Sequence, residues 1–142
     1  MASTIGLRAR VRAELVQEIK QEARRQVARA GAPALSLRGV ARQLGMASSA
    51  IYRYFPSRDQ LLTALIVDAY QAIGEATEAA DAACERQDFV GRWRAGCHEV
   101  RHWALANPHE YALVYGSPVP GYHAPQDTIA LLVGSPWSWH PS

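Results

Sequence analysis

Residues 36–62 read SLRGVARQLGMASSAIYRYFPSRDQLL, and the order of punctuation in this stretch decides the fold. Ser36 is of a type whose hydroxyl accepts from free amides at a helix start, and Leu37, Val40, Ala41 and Leu44 follow at helical spacing, with Arg38 and Arg42 on another side. Gly45 closes this short second helix. Only a few residues later a third helical run is expected over Ala47–Phe55, which Pro56 breaks. Two short helices meeting across a tight glycine-containing turn are the pattern of a helix-turn-helix. Ser57 with Gln60 then has the spacing of a capping box and starts a fourth helix.

Working outward, Val11, Leu15, Ile19, Ala23 and Val27 recur every four residues, which predicts one apolar stripe on a first helix from Arg8 to Ala30. Gly31 and Pro33 end it. Downstream, Leu62, Ile66, Ala69, Ile73, Ala76 and Ala80 keep a four-three spacing, so the fourth helix is a long connector. After a break at Cys84–Gln87, a fifth helix is expected from Asp88 to Ala106 with Phe89, Trp93, Cys97, Val100 and Ala104 on one face. Asn107 and Pro108 end it, and His109–Tyr115 has the length of a further short helix. Gly116–Pro125, GSPVPGYHAP, is a loop; Asp127–Leu131 starts as a helix and gives way to GSPWSWHPS. The fold class is therefore all-α, with a three-helix unit over residues 1–60 joined by a long helix to an incomplete helical unit over residues 61–142.

Charge divides the chain at the same place. Residues 1–60 hold eleven basic and four acidic side chains, a formal +7, whereas residues 61–142 hold four basic and nine acidic, −5. Such an asymmetry is expected when one half meets a polyanion. No apolar run approaches the length of a membrane span, and MASTIGLRARVRAEL lacks the apolar centre of a signal peptide, so the chain is read as cytoplasmic and nucleoid-associated, with no membrane partner. Cys84 and Cys97 form no spaced framework and are read as free thiols packed inside the protein.

The ordered set Ala41, Gly45, Ile51, Tyr52, Tyr54, Phe55, Pro56, Ser57 and Arg58 resembles the DNA-binding domain of TetR-type (TetR/AcrR) transcriptional regulators. The second half, with Asn107, Pro108, Tyr111, Tyr115 and the Gly116–Tyr122 loop, resembles the regulatory domain of the WHG-type subgroup. The resemblance implies a sequence-specific DNA-binding regulator, a repressor released from a double-stranded operator by a small-molecule effector and acting as a homodimer. TetR-type proteins continue beyond this point into dimerisation helices that SPWSWHPS does not resemble, so a shortened regulatory half and a weakened dimer are expected.

The chemistry of the reading head follows from residue types. Ser48, Ser49 and Ala50 are small enough to bring a helix backbone close to the major groove, and the two hydroxyls suit phosphate or base contacts. Arg53 suits the O6 and N7 of a guanine, a contact worth roughly 1 to 3 kcal/mol of discrimination. The resemblance places Ser48, Ser49, Ala50 and Arg53 toward bases, Tyr52 and Tyr54 toward phosphates, Arg38 at a position that reaches a base in some relatives, and Arg58 at the family's phosphate-binding cation. Leu37, Val40, Leu44, Met46, Ile51, Phe55 and Leu61 are expected to form the small core that fixes the angle between the two short helices.

In the second half, Trp93, Cys97, Val100, Trp103, Tyr111, Tyr115 and Tyr122 are the available wall of an effector pocket, apolar with a few polar tips. His98 and His102 share a helix face at a spacing that suits a metal, but no third convergent ligand is identifiable, so neither metal nor cofactor is expected. A Cys97–His98 or Cys97–His102 hydrolase lacks an oxyanion hole and an orienting carboxylate, so no enzyme is expected. The alternatives are non-specific architectural DNA binding or a non-functional truncated regulator, with a metal-responsive sensor built on the two histidines behind them.

Overall fold

The computed structural model describes residues 2–125, with side chains from Gly6 onward. In chain order these residues form α1 (Ala2–Ala30), a 3-10 turn (Ala32–Ala34), α2 (Leu37–Gln43), α3 (Ser48–Ile51), α4 (Arg58–Ala82), α5 (Phe89–Ala106) and α6 (Pro108–Tyr115), without a strand among them. The fold is all-α. The Asp127–Leu131 helix start lies outside the described residues. None of the described helices is long and apolar enough to cross a membrane.

The chain divides into two compact units. One runs through Ala64 and takes in Val119–Tyr122; the other contains Leu65–Pro118. In the first, the stripe on α1 closes at Ile19, Ala23 and Val27, which are buried, while Leu15 is half-buried and Val11 is 53% exposed. Over Gly6–Glu14 α1 therefore buries no side chain in the core. Gly31 turns the chain with φ +82°, a left-handed conformation that favours glycine, and Leu35 re-enters the core beyond it. Leu37, Val40 and Ala41 of α2 are buried, as are Ile51, Phe55, Leu61 and Leu62 further along the chain, and Leu44 and Met46 remain half-buried. Fully burying an aliphatic side chain such as Ile51 contributes roughly 1.5 to 3 kcal/mol. Glu22 is the buried charge of this unit, held by Arg29 at 3.1 Å and Arg25 at 3.3 Å.

In the second unit, Leu65, Ala69 and Ile73 of α4 are buried. Asp88 caps α5 by accepting from the Gly91 amide at 2.8 Å. Arg92 of α5 donates two bonds, each of 2.8 Å, to the Asp81 carboxylate of α4. Gly96 faces α4 closely enough that a Cβ would touch Thr77 Cγ2 at 3.6 Å. The packed stripe of α5 accordingly runs through Ala95, Gly96, Val100, Trp103 and Ala104, all half-buried. This corrects the face read from sequence: Val100 and Ala104 belong to it, whereas Cys97 is exposed and Phe89 and Trp93 are 73% and 76% exposed. Helical spacing names two neighbouring stripes here, and the one that packs holds Gly96, where α4 comes close. Cys84 is half-buried, so neither thiol is fully packed inside.

Candidate nucleic-acid interface

α2 begins where α1 holds it. The Ser36 hydroxyl accepts from the Gly39 amide at 3.2 Å, and the Ser36 amide donates to Gln26 Oε1 of α1 at 3.3 Å. Gly39 is buried so tightly that a Cβ there would lie 3.0 Å from Gln26 Nε2. Between these fixed points Arg38 is exposed, as is Arg42 one turn on. An open, polar cleft of about 380 Å³ lies beside this junction, with Gln26, Arg29, Ser36 and Arg42 on its walls.

The turn follows from Gly45, whose φ of +66° lets the Met46 amide return to the Ala41 carbonyl at 2.8 Å. Ala47 then starts α3 without a side-chain cap, and the exposed Ser48 and Ser49 spend their hydroxyls on no bond among the described residues. Ala50 is half-buried. The third helix is shorter than its pattern predicts: regular α-helix ends at Ile51, and the Arg53 and Tyr54 amides bond three residues back, to Ala50 and Ile51. Pro56 explains this, since it disfavours helical geometry at Phe55, and Phe55 must also return to the core. The tightened turn leaves Tyr52 43% exposed, Arg53 exposed and Tyr54 half-buried.

One residue holding this turn is invisible to sequence reasoning. Arg12 of α1 reaches across 41 residues to donate from Nη2 to the Arg53 carbonyl at 3.2 Å, and its guanidinium lies 5.0 Å from the Tyr54 ring centroid. In sequence it is one more arginine on a basic helix. Arg58, half-buried in the first turn of α4, is engaged by its neighbour: Nε and Nη2 donate to Asp59 Oδ1 at 3.2 and 3.1 Å.

With that geometry in place, residues 19–65 match the family of bacterial regulatory proteins known as tetR, and residues 93–133 match a tetracyclin repressor-like C-terminal domain. The chain carries a TetR-family helix-turn-helix domain and a TetR-type C-terminal domain. An HTH-type transcriptional regulator of Mycobacterium bovis is 47% identical over 131 residues, 89% of this chain and 54% of that protein. The chain thus spans about half the length of the curated relatives it matches. Among solved structures, a protein assigned a regulatory role aligns with a TM-score of 0.77 at 44% identity, over 87% of this chain and 58% of that one. A TetR-family protein from a Shewanella species aligns with a TM-score of 0.68 at 25% identity, over 84% of this chain and 62% of that one.

In the second unit the expected pocket wall is brought together in part. Tyr111 and Tyr115 lie with ring centroids 4.9 Å apart, and Tyr70 of α4, which sequence reasoning did not select, meets Tyr115 edge-on at 6.1 Å. Loss of hydration, with the Tyr70 and Tyr111 phenols adding to it, pushes the Tyr115 hydroxyl up from its ordinary value. Val100 and Trp103 are half-buried, while Trp93 and Cys97 face outward. Tyr122 takes another partner, its hydroxyl 2.8 Å from Thr63 Oγ1 within the first unit. His98 and His102 are both exposed, His102 Nδ1 standing 3.7 Å from Glu99 Oε1, and the described residues contain no group of three metal-ligating side chains.

Proposed function

We propose that this chain reads a double-stranded DNA operator through α2, the Gly45 turn and α3, and regulates transcription there as a repressor that a small-molecule effector releases. The observation that carries the reading is a set of unspent side chains on the helix-turn-helix: Arg38, Ser48, Ser49 and Arg53 are exposed and make no bond among the described residues through their side-chain ends, while a buried core fixes the backbone beneath them. Arg53, with Ser48, Ser49, Ala50 and Arg38, meets base edges, and Tyr52, Tyr54 and Arg58 meet phosphates. A homodimer would present two such heads to half-sites about one helical turn apart. Tyr70, Tyr111, Tyr115, Val100 and Trp103 make up the effector wall of this reading. The family's role as regulators supports a binding function over catalysis.

Selection of duplexes from a random pool tests it. A recovered consensus made of two half-sites supports the reading, and Arg53→Ala should then lose preference at one base pair while Arg58→Ala weakens all duplexes alike. Recovery of no preferred sequence would assign the chain to architectural DNA binding instead.

A further inference from the structure

The TetR-family match starts at residue 19, whereas α1 starts at Ala2, so more than half of α1 lies ahead of the matched residues. Within that part Gly6–Glu14 is exposed throughout. It carries Arg8, Arg10 and Arg12 and no acid before Glu14. Arg12 and Arg8 lie four residues apart and share one face of the helix. Arg12 already stands at the reading turn, on the Arg53 carbonyl and the Tyr54 ring. Arg8 therefore sits one turn further out on that face, about 6 Å along the axis, close to the rise of about 6.8 Å over two phosphate steps on one strand of a duplex. Among the described residues neither Arg8 nor Arg10 is in an ion pair.

We infer that the first turns of α1 form a second contact with duplex DNA, in which Arg8 binds a backbone phosphate flanking the base pairs read by α3 and Arg12 ties that contact to the reading turn. The inference rests on the DNA-reading function proposed above and adds a site to it. Leu7 and Val11, 50% and 53% exposed, make a neighbouring row on the same turns. Two aliphatic side chains bury far too little area for a stable protein interface, so the cations decide the partner.

Binding of the full chain to a labelled, mixed-sequence 30-base-pair duplex by fluorescence anisotropy, repeated from 50 to 200 mM salt, tests this. One phosphate contact contributes about 0.9 to the log-log salt slope, so Arg8→Ala should be less salt-sensitive than the unaltered chain, by about 3.5-fold over that range, and Arg8→Lys should keep the full slope. Melting curves should coincide, because alanine suits an exposed helix position. If Arg8→Ala retains the full slope while Arg58→Ala loses a unit, the α1 contact is refuted and the reading head stands. If the unaltered chain shows no salt-dependent duplex binding, the proposed function falls and this contact falls with it.

Discussion

Gly39→Ala probes how firmly α1 dictates the start of α2. Two effects oppose each other. Replacing a glycine inside a helix stabilises by about 1 kcal/mol. The new Cβ, however, would lie 3.0 Å from Gln26 Nε2, while its next neighbour, Ser36 Cβ, is at an ordinary 3.5 Å. The Gln26 amide must therefore move, and its acceptance of the Ser36 amide at 3.3 Å, a bond worth about 0.5 to 1.5 kcal/mol net, is lost or weakened. The single variant should come out within about 0.5 kcal/mol of the unaltered protein. With Gln26→Ala already in place nothing obstructs the methyl group, and the same Gly39→Ala change should stabilise by about 1 kcal/mol. Urea unfolding of the four proteins, followed by circular dichroism, gives a coupling energy of about 1 kcal/mol if the reasoning holds. An equal effect of Gly39→Ala in both backgrounds would refute it. Duplex affinity adds a functional readout, because a shifted α2 start moves Arg38.

Three further outcomes are expected. Ser36→Ala removes the α2 cap and should lower stability by about 1 kcal/mol in the same assay, whereas Ser36→Thr retains most of it. Asp59→Asn releases Arg58 and should tighten binding to every duplex; unchanged affinity would mean that Arg58 does not reach a phosphate. The hydrogen bonds from Arg92 hold the Asp81 carboxyl below its usual value of 3.8, so their contribution to stability is present above that pH and is lost as pH falls through the lowered value. An acid titration followed by circular dichroism should therefore show a later loss of helix in the unaltered protein than in Asp81→Asn, and superimposable acid limbs would remove the role of this pair.

The helices of the first unit were legible because their signals are local. Ser36, Gly45 and Pro56 each act on the backbone within a few residues, and the structure shows the cap, the left-handed turn and the break they imply. α3 was overextended because a 3.6-residue pattern does not distinguish a helix from a tightened turn that returns Phe55 to the core. Arg12 and Gln26 were missed for a different reason: each acts on a segment brought to it by the fold, and neither residue type marks such a role in advance. On α5 the spacing pattern offered two faces, and the absence of a side chain at Gly96, set against Thr77, selected the one that large aromatics had masked.

The bond between Thr63 and Tyr122 joins hydroxyls 59 residues apart in sequence. Closing a flexible loop of that length costs about 3 to 4 kcal/mol in chain entropy, against about 1 kcal/mol gained from one hydrogen bond. The bond cannot recruit the loop by itself; it forms because the helices between its two ends have already shortened the path. Val119–Tyr122 is thus expected to keep its place in the first unit only while the chain between is ordered. Amide exchange at Tyr122 would follow the integrity of α5 and α6, although the residue lies in neither.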